Sequence, residues 1–322
     1  MSGKSNYPSG FTQGVTIRGV PLLQTHPGEV FWLNNSSVLA KGAVGGSDGN
    51  DGSYRRPCAT LNGALDKCTA NRGDIIFIMP GHAEVEAVAG AAIADIDVAG
   101  VAVVGLGFGD LRPSFTLEVD DGTFDISAAN TILSNIRFIS SIVDVAVGFD
   151  VSAKNVTIDS VAFEYVTAGT DCFIDAIDTS ATDNASDGLI VNNCTSYNVE
   201  TTNQAFVQIN GDLANLQFTN NTITMGVNDD ECFIGVSTIT DTCVNMLIAD
   251  NVLSRLNTDG ELIFEGTAND CTGFIINNYL RHADVAAALL IPVGSTVMQT
   301  NNLLSEAIDV SGFVIPAIGN DS

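Results

Sequence analysis

The sequence predicts an all-β solenoid, a single-stranded parallel β-helix, and three observations carry that prediction. Short apolar stretches ending in a polar pair recur along the chain. A second series of large apolar residues recurs between them, and the two series lengthen and shorten together. Thirty-one glycines and one tryptophan among 322 residues also suit a turn-rich β protein.

The first series is TILSNIRF, VTIDSVAF, LIVNNCTS, LQFTNNTI, MLIADNVL, FIINNYL and VMQTNNLL, between positions 131 and 304. Its polar anchors are Asn135, Ser160, Asn193, Asn221, Asn251, Asn278 and Asn302, with Gly105 of VAVVGLGF in the same frame. The second series is Phe124, Phe149, Phe173, Phe206, Phe233, Leu262, Leu289 and Phe313. Intervals in both run from 24 to 33 residues.

Each strand alternates with period two, is rich in Val, Ile, Phe and Thr, and no stretch supports a long amphipathic helix. The unit is too short for a propeller blade and lacks a leucine-rich consensus. It fits one coil of a parallel β-helix, whose coils stack about 4.8 Å apart. The recurring Phe then forms an aromatic column in the interior. The recurring Asn turns a corner in left-handed backbone and bonds the amides above and below it.

Residues 1–44 show no repeat and read as an extended arm. Its apolar Phe11, Val20, Leu22, Leu23 and Trp32 need a surface to dock on, either their own solenoid or a partner. Residues 45–99 read as a cap: a Gly/Asp loop, a short helix with Ala59, Leu61, Ala64, Leu65 and Cys68 on one face, and a strand closed by Pro80-Gly81. Such a helix plugs the open end of a solenoid. Residues 100–322 form the solenoid itself, about eight or nine coils and roughly 40 Å long at the sheet spacing.

Composition excludes several functions. With 38 acidic and 12 basic residues the formal charge is -26, so neither a nucleic-acid backbone nor an anionic membrane is the expected partner. The most apolar window, Val88 to Gly107, holds Asp95 and Asp97 and is not expected to span a membrane. The N-terminus lacks the apolar core of a secretory signal. Seven cysteines with no CxxC spacing read as buried, reduced side chains of a chain that folds in a cytoplasm.

Glycoside hydrolysis requires paired carboxylates. The candidates are Asp120–Asp121, Asp183 with Asp187, Asp229–Asp230–Glu231, and Asp259 with Glu261, of which Asp230 and Asp259 fall about one coil apart. His26, His82 and His282 are scattered, which suggests no metal triad. The Asp48–Asp51 loop has Ala59 where a calcium loop places its bidentate glutamate. Gly105–Gly109 opens no helix and reads as a corner. No catalytic residue, metal or cofactor is expected, and the chain is not expected to be an enzyme.

One stretch resembles a known family. Gly46-Ser47-Asp48-Gly49-Asn50-Asp51-Gly52, Pro57, Ala59-Thr60-Leu61, Gly73-Asp74-Ile75-Ile76, Pro80-Gly81-His82 and Glu84 are similar to the cap of pectin-lyase-like right-handed β-helix proteins. The versions encoded by tailed bacteriophages are the most similar. The resemblance implies right-handed coiling and a virion structural protein, usually a homotrimer. The expectation drawn from it is a capsid decoration or cement protein on the outside of the phage head, assembled in the host cytoplasm. Its partners would be the major capsid protein and itself, with no nucleic acid and no membrane. Acidity suits that exterior place, because an interior packed with DNA would repel it. The alternative is a tailspike or tail-fibre domain that binds or degrades host surface polysaccharide, with Tyr165 and Tyr197 as aromatic candidates. The family's polygalacturonase-like pattern is matched only at Asn257-Thr258-Asp259, without its Gly-His-Gly or Arg-Ile-Lys stretches. The chain's end soon after Phe313 favours decoration.

Overall fold

A computed structural model describes side chains in residues 28–37, 39, 41–167, 170–199, 205–226, 233–236, 241–256, 271–281 and 296–303, and further strand backbone at 15–17, 20–22, 264–265, 282, 304–306 and 313–315. Three sheets wrap one interior in a right-handed parallel solenoid with almost no helix. Sheet A has ten strands, from Val30–Leu33 to Thr296–Thr300. Sheet B has ten, from Ala83–Glu86 to Phe313–Ile315, and sheet C has seven, from Ala92–Asp95 to Phe264–Glu265. One coil runs through Ile132–Ser134 in sheet A, Arg137–Ser140 in B and Val145–Val151 in C. The seven strands of sheet C correspond to about seven turns, and sheets A and B extend beyond it.

Left-handed residues cut the strands short. The sheet A strand Ile132–Ser134 lies between Asn130 at φ 60 and Asn135 at φ 58. Asn155 and Ser160, Asn215 and Asn220, and Asn245 and Asp250 frame the equivalent strands of other coils. Asn and Asp tolerate this backbone better than other side chains that carry a Cβ. The outer corner also stacks amides: Asn155 Nδ2 donates to Asn130 Oδ1 at 3.0 Å, and Asn245 Nδ2 to Asn215 Oδ1 at 2.6 Å.

The anchor series read from the sequence divides into two columns, one residue apart. Asn135, Ser160 and Asn193 occupy the left-handed corner, which continues as Asn220, Asp250, Asn277 and Asn301. Asn221, Asn251, Asn278 and Asn302 sit one position later and are buried, continuing a column of Ile136, Val161 and Cys194. In that inner column Asn251 Nδ2 donates to Phe218 O at 2.8 Å and Asn278 Oδ1 at 2.9 Å, and its own Oδ1 accepts from Asn221 N and Nδ2. Asn278 repeats the pattern with Asn302 and Ile248 O. Every amide thus satisfies a backbone group that the corner takes out of the sheet ladder.

Phe124, Phe149, Phe173, Phe206 and Phe233 are at most 1 % exposed. They do not share one register: Phe124 and Phe149 are followed by Ile177, Val207 and Ile234. Rings from sheet B fill the interval. Phe138 stacks on Phe149 at 4.3 Å and on Phe173 at 4.8 Å, while Phe163 meets Phe206 edge-on at 4.8 Å. Phe313 lies in the last strand, antiparallel to Asn302–Glu306, with its side chain outside the described residues. Leu262 and Leu289 also lie outside them.

The inner asparagine column gives a direct test. Asn251→Ala should lower the unfolding free energy by about 3 kcal/mol, because Asn221 N–H and Phe218 O lose their partner in a buried site. Asn193→Gly, at the exposed corner, should change it by less than about 0.5 kcal/mol, since glycine takes the left-handed backbone freely. Urea unfolding of both variants decides, and equal effects would mean that the two columns are one.

Candidate functional site

The motif that carries the family resemblance is used up in building the cap. Thr60 caps the helix Leu61–Leu65 by accepting from Gly63 N. Asp48 Oδ1 accepts from Ala59 N and Thr60 N, each at 2.9 Å, and packs so closely on Gly63 that no Cβ fits there. Leu61 N donates to Glu84 Oε1 at 2.9 Å, and the same oxygen lies 2.8 Å from His82 Nε2. His82 Nδ1 accepts from Asn35 N, so its proton sits on Nε2 and the buried pair is fixed in one tautomer. Asp74 is fully buried. Its environment favours neutrality through burial, but Arg72, Thr69 N and Glu29 N hold its carboxyl below the usual range.

The predicted docking residues divide between arm and solenoid. Trp32 belongs to the first sheet A strand and packs on Tyr54 and Phe77, with ring centres 4.9 and 5.2 Å away. Val20 and Leu22 lie in Val20–Leu22, paired antiparallel with Val15–Ile17, while their side chains and the whole of Phe11 and Leu23 fall outside the described residues.

Most of the described candidate carboxylates are occupied structurally. Asp187 pairs with Lys154 at 2.9 Å and accepts from Ala214 N. Asp183 accepts from Asp212 N, and Asp120 from Asp121 N. Asp229–Asp230–Glu231, Asp259 and Glu261 lie outside the described residues. Tyr165 is not a surface aromatic: its hydroxyl lies 3.0 Å from Ser196 Oγ, and burial pushes its pKa up. Tyr197 is exposed. The six described cysteines are free thiols, and burial raises Cys58 to about 11 and Cys194 to about 12.

An acid row on sheet C escaped the sequence reading. Asp95, Asp125, Asp150 and Asp178 stand opposite one another in four successive coils, and Gln208 and Gly235 continue the column. Ser127 Oγ donates to Asp95 and Thr123 Oγ1 to Asp125. Burial, then the charge of neighbouring acids, raises Asp150. Burial also raises Asp125, against a hydrogen bond from Thr123. Asp178 rises furthest, to about 6, through burial and the Asp150 charge against a bond from Asn210, and its Oδ1 is buried without a hydrogen-bond partner. Partly desolvated acids in file can hold protons near neutral pH and donate or accept them. The signal was present: an Asp directly follows the interior residue in Phe124-Asp125, Phe149-Asp150 and Ile177-Asp178. Among the described residues no group of three or more His, Cys, Asp or Glu side chains could hold a metal ion.

The row has a pH signature. Asp125, Asp150 and Asp178 titrate higher when folded than when unfolded, so the stabilising contribution of each is full below its unfolded value and is lost as pH rises through its folded one, about 6 for Asp178. For Asp178, two pH units, discounted for partial solvent access, correspond to roughly 2 kcal/mol. Asp178→Asn should therefore stabilise the protein at pH about 7.5 and have little effect near pH 4. Urea unfolding at both values checks this, and a variant no more stable at the higher pH would mean a fully solvated row.

No protein-family model matches the sequence, and no curated protein matches it. Among solved structures the chain is similar to a rhamnogalacturonan lyase, at 15% identity and a TM-score of 0.45, over 89% of this chain and 90% of that one. That neighbour is named for an enzyme. The expectation that this chain is not an enzyme is corrected accordingly, and enzymatic activity stands as open.

Proposed function

We propose that the chain is a virion structural protein, a decoration protein that lies on the outside of a phage head as a homotrimer and grips the major capsid protein. The observation that carries this reading is the outer face of sheet A. One outward column reads Val30, Ile75, Ala102, Ile132, Thr157, Ile190, Gln217, Leu247, Phe274 and Met298. The column beside it begins with Trp32, Phe77 and Val104, and Asp159 is the one charged side chain among the described residues of the two columns. On a chain of charge -26, a face so poor in charge is suited to burial against protein. Ten strands at about 4.8 Å, each roughly 10–13 Å wide, offer roughly 500 Å² per protomer. That lies near the lower bound for a specific interface, so the arm, residues 1–44, supplies the remaining grip. The cap resemblance supports the virion setting, and repulsion from packaged DNA supports the exterior.

Ile132→Glu should leave the far-ultraviolet circular dichroism unchanged and lower occupancy on the particle at least tenfold, about 1.4 kcal/mol or more. Cryo-electron microscopy of the particle reads that occupancy. Full occupancy by the variant would remove sheet A from the interface, and density confined to the tail would end the decoration reading.

The acid row favours a second reading, a polysaccharide hydrolase. Adjacent coils place Asp150 and Asp178 about 4.8 Å apart along the sheet, close to the roughly 5–5.5 Å between the carboxyl groups of retaining glycosidases. Asp178, held at about 6, would be the acid and Asp150 the carboxylate. Asp178→Asn should then abolish reducing-end release from host polysaccharide at least a hundredfold, the usual weight of a general acid. Undiminished release would dismiss the pair.

A further inference from the structure

Where sheet A turns into sheet B near the last described coils, a cleft of about 390 Å³ opens, within the range of small-ligand sites. Its floor includes Asn278 and Asn302, whose amides are committed to the inner ladder. Its rim is the outer corner: Asp250, Asn277 and Asn301, all left-handed and stacked in successive coils. Its wall is sheet B, where Tyr279 and Leu303 share one outward column and are 60% and 37% exposed.

The rim's chemistry is specific. Asn301 Nδ2 donates to Asn277 Oδ1 at 2.7 Å. That bond leaves Asn277 Nδ2 as a donor and Asn301 Oδ1 as an acceptor, with the Asp250 carboxylate one coil earlier. Acceptor, donor and acceptor therefore line up beside an exposed phenol ring. Vicinal hydroxyls of a sugar both donate and accept, and the C–H face of a pyranose is apolar enough to cover a tyrosine ring. An anionic sugar would face Asp250 and a protein of charge -26.

We propose that this cleft is a binding site for a neutral glycan, with one sugar ring on Tyr279 and its vicinal hydroxyls on Asp250 and Asn277. The site lies at the corner between sheets A and B, whereas the acid row is on sheet C, so it depends on neither functional reading.

The test is isothermal titration of the full chain with maltohexaose, cellohexaose, mannohexaose and N-acetylglucosamine hexamer, with hexagalacturonate as the acidic comparison. At least one neutral probe should bind with Kd below about 1 mM, and hexagalacturonate at least tenfold more weakly. Tyr279→Ala should weaken that binding at least tenfold, and Tyr279→Trp should keep it. The exposed Tyr279 can be replaced without opening the interior, and circular dichroism checks that each variant is folded. Absence of binding by every neutral probe, preference for hexagalacturonate, or binding indifferent to Tyr279→Ala would each overturn the proposal.

Discussion

Parallel stacking of coils about 4.8 Å apart is the constraint on which the rest of this molecule depends. It makes the nearest neighbour of almost every side chain the equivalent residue one coil away. Chemistry that tolerates its own kind therefore flourishes, and chemistry that does not is conspicuous. Phenyl rings interleave, and amides pair donor to acceptor without end, as Asn221, Asn251, Asn278 and Asn302 do. Carboxylates in file repel one another, and burial magnifies the effect.

That constraint also makes the coil legible in the sequence. Corners need left-handed backbone, Asn supplies it, and so the coil period stands out in the sequence. Which of two adjacent polar residues turns the corner is harder to read. Asn220-Asn221, Asn277-Asn278 and Asn301-Asn302 present the same side chain twice, and only the earlier coils, with Ile136 after Asn135, Val161 after Ser160 and Cys194 after Asn193, mark the second position as interior. The Phe series identifies a face and not a column. Phe173 pairs with Val145 and is buried four residues before Ile177, the equivalent of Phe149. The acid row was legible in principle, but attention to clusters along the chain overlooks acids spaced one coil apart.

The outer surface is divided by chemistry. Sheet A is nearly uncharged outside, sheet C carries the acid row, and sheet B places Tyr197 and Tyr279 in solvent. By contrast, the most motif-like stretch, at 46–84, is committed inward. Asp48, Asp74 and Glu84 each accept backbone N–H groups that the cap would otherwise leave bare. Local resemblance is strongest where the solenoid must be closed, and recognition is left to faces that a motif search does not see.

The fold does not require acids on sheet C. The same column continues as Gln208 and Gly235 with the coils still paired, so neutral residues satisfy its geometry. Asp125, Asp150 and Asp178 there weaken the native state at neutral pH, and the last keeps a buried oxygen without a hydrogen-bond partner. Protons, or a ligand that donates hydrogen bonds, relieve the repulsion only when they occupy the folded row. Occupancy and stability then rise together. The interior accounts for how this solenoid stands, and the acid row accounts for why its stability must depend on what lies beside it.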